Sequence, residues 1–185
     1  MRSALLAASL ALLATARALD LTPQFADVDA DGLRMRLPYF RDGEKRVFIA
    51  PPKGWKIEGD SAGAVLRSQD APGSSVALML SPKPMLSTDE AGRKAVREAV
   101  LALAPKGSDG VAFDGETPDA LGINGWKTSE LRIRYGVPGS RVVKSVMLVK
   151  LNAREELQVV VTAPESEFSR ASGAAMTCLR TWHKK

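Results

Sequence analysis

The chain has 185 residues, a formal net charge of +5, 45% hydrophobic and 25% charged residues, and one cysteine. These are ordinary globular proportions, and a lone thiol excludes an intrachain disulfide. The positive balance is too mild to argue for nucleic acid.

Arg2, the small apolar run Ala4 to Ala14 and the triplet Ala16-Arg17-Ala18 read as a secretory signal peptide cut after Ala18. The run is roughly half the length needed to span a bilayer, and no later stretch is long enough without charges, so no transmembrane segment is expected. Leu19, not a cysteine, follows the cut, so no lipid anchor is expected either. Removal of Arg2 and Arg17 lowers the charge from +5 to about +3. The product is expected to be periplasmic or secreted, which counts further against a nucleic-acid partner.

Residues 19–45 are polar and turn-rich, and read as an N-terminal extended segment ahead of a single domain over 46–185. Within them Leu33-Arg34-Met35-Arg36-Leu37 alternates like a strand until Pro38. Val47 to Ala50 predicts a strand, Pro51-Pro52-Lys53-Gly54 a rigid turn, and Trp55 a re-entry. Ala64–Ser68 and Ser75–Leu80 flank Asp70-Ala71-Pro72-Gly73 as a hairpin. Ser87 and Glu90 form the S-x-x-E capping box of a first helix, with Ala91, Ala95, Val96, Ala99, Val100 and Leu103 at helical spacing. Strands are expected at Val111–Phe113, Trp126–Tyr135, Val142–Leu151 and Leu157–Thr162. The last three form an antiparallel meander through turns at Pro138-Gly139 and Asn152-Ala153-Arg154. A final helix begins near Pro164 and carries the stripe Phe168, Ala171, Ala175, Leu179 and Trp182. This order predicts an α+β fold, a mainly antiparallel sheet flanked by two principal helices in an α/β/α sandwich.

Gly59-Asp60-Ser61-Ala62-Gly63 spells the G-x-S-x-G nucleophile elbow, in which a serine is exposed on a strand-to-helix turn beside a histidine base. Pro72-Gly73 forbids a long helix after Ser61, no oxyanion loop of His-Gly-Gly type occurs, and the sole histidine, His183, is expected in the last frayed turn. A hairpin turn is the preferred reading, with a serine hydrolase as the alternative. Asp27-Val28-Asp29-Ala30-Asp31-Gly32 spells the start of a calcium loop. Its twelfth position holds Pro38 where a bidentate Glu belongs. An acidic turn is therefore preferred over a calcium module using Asp27, Asp29 and Asp31.

Arg132 and Arg134 share one sheet face, and Arg141, Lys144 and Lys150 on the next strand are candidates to extend it into a basic binding patch. The solvated side of a half-buried sheet explains the same charges. Cys178 falls beside the final apolar stripe and reads as a packing residue. Trp55, Trp126 and Trp182 read as core anchors unless a cleft exposes two of them. No cofactor fingerprint occurs, and His183 alone assembles no metal site.

Phe48-Ile49-Ala50-Pro51-Pro52-Lys53-Gly54-Trp55 resembles the opening signature of PsbP/DcrB-like domains. Leu157 to Pro164, followed by Phe168 and Leu179-Arg180-Thr181-Trp182, is similar to their closing strand and helix. The resemblance spans about residues 46 to 182. It implies an antiparallel sheet sandwiched by helices and a non-enzymatic role as an envelope protein, extrinsic subunit, chaperone or adaptor. It carries no functional residue onto a position here. The function expected is an exported non-catalytic binding or accessory protein of the bacterial cell envelope, engaging a protein partner and no cofactor.

Overall fold

The computed structural model describes residues 19–30, 32–81, 84–87, 89–122, 125–153 and 155–184. The leader read at 1–18 lies outside these residues, as does Asp31. In chain order the elements are β1 (Leu19–Ala30), β2 (Leu33–Asp42), β3 (Lys45–Phe48), β4 (Trp55–Gly59), β5 (Gly63–Ser68) and β6 (Ser75–Ser81). Then come α1 (Glu90–Leu101), β7 (Asp109–Pro118), β8 (Lys127–Val137), β9 (Ser140–Lys150), β10 (Glu156–Pro164), α2 (Phe168–Arg180) and β11 (His183–Lys184).

The large sheet runs β4-β5-β6-β10-β9-β8-β7, with every neighbouring pair antiparallel. β10 lies inside it and is buried on both faces. Leu157, Val159, Val161 and Ala163 enter the main core, while Val160 enters a second core beneath α1. That double burial explains the near-continuous apolar run of β10. Each fully buried aliphatic side chain there contributes roughly 1.5–3 kcal/mol. Val96 and Val100 anchor α1 over Leu131, Ile133, Tyr135, Val146 and Leu148. On the opposite face α2 packs Ala171, Ala175, Cys178 and Leu179 against β5, β6 and β10. The chain is thus the expected α+β sandwich of an antiparallel sheet between two helices.

A second sheet, β1-β2-β3-β11, joins α2 in covering the main core. Residues 19–45, read as an extended segment apart from the domain, supply its first two strands. Leu19, Leu21 and Phe40 are buried in the same core as Leu157. The period-2 signal was hidden by a register shift between Asp20 and Gln24, which breaks the in–out alternation of β1. Pro38 does not end β2. Its carbonyl accepts from the Ile49 amide at 3.1 Å, and the missing N–H falls where β3 has already stopped.

Two ends differ from expectation. The α1 cap is Asp89, whose carboxylate accepts from the Gly92 amide at 2.7 Å, while Ser87 instead donates to Asp89 at 3.0 Å. Those two bonds hold the Asp89 carboxyl below its ordinary 3.8. The cap is therefore fully engaged above that pH and is lost as pH falls through the lower folded-state value. Asp89→Ala is expected to lower the melting temperature by a few degrees near neutrality, with the gap closing in acid, as thermal melts across pH will show. At the far end α2 starts at Phe168 after a 3-10 turn over Glu165–Glu167. His183 is not in a frayed helical turn but in β11, paired with Phe48.

Candidate functional site

Beyond the reach of β3, the hairpin of β1 and β2 continues as a two-stranded arm. Register places Ala26 opposite Leu37 and Val28 opposite Met35, with Leu33 next on the same side of β2, so these five side chains give one face of the arm an apolar character. Leu33 is 68% exposed and Met35 41% exposed, without a helix over them. The other face pairs Asp27 with Arg36 and Asp29 with Arg34 in register, and Arg34 bonds Asp27 at 2.8 Å. An isolated two-stranded ribbon is marginal in water, so an exposed apolar face at this place is unusual.

Between the charged face of the arm and β4 lies an open groove of about 390 Å3. Phe25, Pro38, Pro51 and Trp55 supply apolar walls, and Arg36 and Lys56 supply charge. The Arg36 guanidinium sits 5.5 Å from the centroid of the Phe25 ring, which is itself 49% exposed. The arm residues and the β4 residues are far apart in sequence and meet only where the two sheets approach each other. The one local hint was Pro-Pro-Lys-Gly-Trp, read as a turn.

The sequence-derived basic patch divides in two. Arg132 lies opposite Ser145, and Arg134 opposite Val143, so both project on the α2 side of the sheet. Arg141 shares that side, opposite Gly136. Lys144 is opposite Ile133 and therefore on the α1 face. There it donates to the Leu103 carbonyl at 2.7 Å and lies 5.7 Å from the Tyr135 ring centroid. Burial pulls its ammonium below the ordinary lysine value. Arg134 is held by Asp114 at 3.0 Å and Glu165 at 3.1 Å. Of this set Arg134 alone is held in an ion pair among the described residues; Arg132, Arg141, Lys144 and Lys150 are in none there.

Asp27 and Asp29 belong to an extended strand, not to the acidic turn expected, and face arginines across the arm. A calcium loop needs backbone that curls so alternate carboxylates converge. Among the described residues no group of three or more His, Cys, Asp or Glu is arranged for a metal.

Ser61 sits in the β4–β5 hairpin turn, where Asp60 accepts from the Ala62 amide at 2.8 Å and the Gly63 amide at 3.1 Å. The context is strand–turn–strand, not the strand–turn–helix of an elbow. The Ser61 carbonyl accepts from the Leu21 amide of β1, while β11 with His183 occupies the opposite edge of that sheet. Three strand spacings, roughly 14 Å, separate those edges. A fluorophosphonate probe is expected to leave Ser61 unlabelled, with intact-mass spectrometry as the check.

Cys178 is buried, its thiol 3.9 Å from the Ala50 carbonyl, and burial pushes it up from 9.0 to about 12. A thiol kept neutral is a poor nucleophile. At pH 8 it is expected to react with a disulfide reagent only as fast as the protein unfolds. Its contribution to stability is complete below about 9.0 and fades as pH rises through about 12. Trp126 and Trp182 meet edge to face at 6.1 Å beside a small cleft of about 90 Å3. Trp182 is only 3% exposed and stays a core anchor.

No helix among the described residues is long and apolar enough to cross a membrane. No family model matches the chain, and no curated protein matches it. Among solved structures it is similar to PsbP from Synechocystis sp. PCC 6803, at 15% identity and a TM-score of 0.49, over 75% of this chain and 86% of that one. It is also similar to the Saccharomyces cerevisiae Ran-binding protein Mog1p, at 16% identity and a TM-score of 0.46, over 88% and 96%. A third is LpqN, involved in cell envelope biogenesis of Mycobacterium tuberculosis, at 18% identity and a TM-score of 0.48, over 84% and 87%. These are similarities of structure; the sequence resemblance to PsbP/DcrB-like domains rests on residues 48–55, 157–164, Phe168 and 179–182.

Proposed function

We propose that this chain is an exported, non-catalytic binding protein of the bacterial cell envelope, cleaved after Ala18, that engages a protein partner through its β1–β2 arm. The leader motif supports export, and Leu19 at the proposed new terminus is already a core residue, so the mature chain keeps β1 whole. The observation that carries the binding role is the apolar face of the arm, with Leu33 and Met35 exposed on a ribbon that projects past its own sheet. Exposed apolar residues gathered on one face mark an interaction surface. Residues 19–185 act in this reading as one unit, because the arm is rooted in the core through Leu21 and Phe40.

The test is site-specific photo-crosslinking from position 35 in intact cells producing the full chain, with position 94 on the exposed side of α1 as the control. A discrete protein adduct from position 35 alone is the expected result. Adducts from both positions equally, or from neither, would sink the arm as the binding element.

A further inference from the structure

We infer that the groove between the arm and β4 receives an extended acidic peptide segment, added as a strand to the outer edge of β4. This rests on the protein-binding reading above and names the chemistry that the partner must present. β4 is the terminal strand of the large sheet and pairs with β5 alone among the described strands. The Gln69 amide donates to the Gly54 carbonyl and the Asp60 amide to the Gly63 carbonyl, which fixes the hydrogen-bonded pairs of this ladder. Alternation then directs the backbone groups of Ile57 and Gly59 and the Trp55 carbonyl away from β5, on the side of the groove, while the Trp55 amide is engaged by the Pro52 carbonyl at 3.1 Å. An edge of this kind is a template for another strand.

The walls select what that strand carries. Trp55 and Ile57 project on one side of β4 and Lys56 on the other, so a paired strand meets apolar and cationic surface at alternate residues. Arg36 adds a second cation from the arm, and no carboxylate lines the groove. The two nearest in sequence are engaged elsewhere, Glu58 by Arg67 at 3.2 Å and Asp27 by Arg34 at 2.8 Å. Edge-to-edge pairing with a second copy would instead bring Lys56 and Arg36 of one molecule toward the same cations of the other. Charge complementarity therefore favours an acidic segment over self-association.

The experiment uses the mature chain, residues 19–185, and a dye-labelled peptide of alternating valine and glutamate of about strand length. Fluorescence anisotropy should report binding that weakens at least about tenfold when valine–lysine replaces valine–glutamate, or when the peptide amides are methylated. Lys56→Glu, exposed and so without a folding burden, should weaken the glutamate peptide by about tenfold and strengthen the lysine peptide. Equal binding of methylated and unmethylated peptides overturns strand addition. Flotation of the chain with phosphatidylglycerol vesicles, without peptide binding, overturns the peptide in favour of a lipid surface. If position 35 still traps a protein while no peptide binds, the groove inference fails and the protein-binding reading stands. Absence of both removes the two together.

Discussion

Trp182→Ala is expected to cost about 3–5 kcal/mol, enough to lower the melting temperature by roughly 10 °C in a chain of this size. Trp182 lies one residue past the Thr181 cap of α2 and is 3% exposed. Its ring lies 5.8 Å from that of Phe40 in the small sheet and 6.1 Å from that of Trp126 ahead of β8. One side chain therefore ties α2, the small sheet and the β7–β8 end of the large sheet. Three separate elements surround the void that alanine would leave, so none can collapse into it without breaking its own ladder. The residue after it opens β11, whose two pairs with Phe48 and Val47 depend on where α2 ends. Trp182→Phe should recover most of the loss, because a smaller ring still reaches Phe40. Urea melts followed by circular dichroism give the comparison, and similar midpoints for wild type and Trp182→Ala would contradict the role assigned to this ring.

That anchor was legible in the sequence, because α2 obeys a helical period with no competing signal: Ala171, Ala175, Leu179 and Trp182 are all buried as the spacing demands. The meander of β8, β9 and β10 was legible too, since each strand is long and apolar on at least one face. The position of Lys144 was implied by the same reading. A two-residue turn at Pro138-Gly139 sets Val137 opposite Ser140, and counting back puts Lys144 opposite Ile133, away from the arginines. β7 was seen only at Val111–Phe113, because register shifts at 109/112 and 113/115 scramble its alternation. Of the arm only Leu33–Leu37 was legible as strand, and its partner β1 escaped for a related reason. The charged face of the arm is made of cross-strand Asp–Arg pairs, and such pairs read as loop until the partner strand is known. The groove could not be read locally at all, because the Phe25–Arg36 pair of the arm meets Trp55 only when two sheets approach.

Glu156 was the least legible residue, since a glutamate after Asn-Ala-Arg-Glu reads as part of a solvated turn, yet it is fully buried. Its Oε2 accepts from the Leu86 amide at 2.8 Å and the Met85 amide at 3.0 Å, and Gln158 reaches Oε1 at 3.5 Å. These two bonds tie Met85 and Leu86, in the segment that leads to α1, to the start of β10. Glu156→Ala removes the acceptor and leaves two part-buried amides without one. Each such amide costs roughly 1–3 kcal/mol, so a total of about 3 kcal/mol or more is expected. Glu156→Gln keeps a carbonyl oxygen and nearly the same volume, and should lose markedly less. The amides of Met85 and Leu86 give a local readout that a general loss of packing would not. In Glu156→Ala their hydrogen exchange should accelerate well beyond that of Val159 and Val161 of β10, in the main core, whereas uniform acceleration would assign Glu156 only a space-filling role.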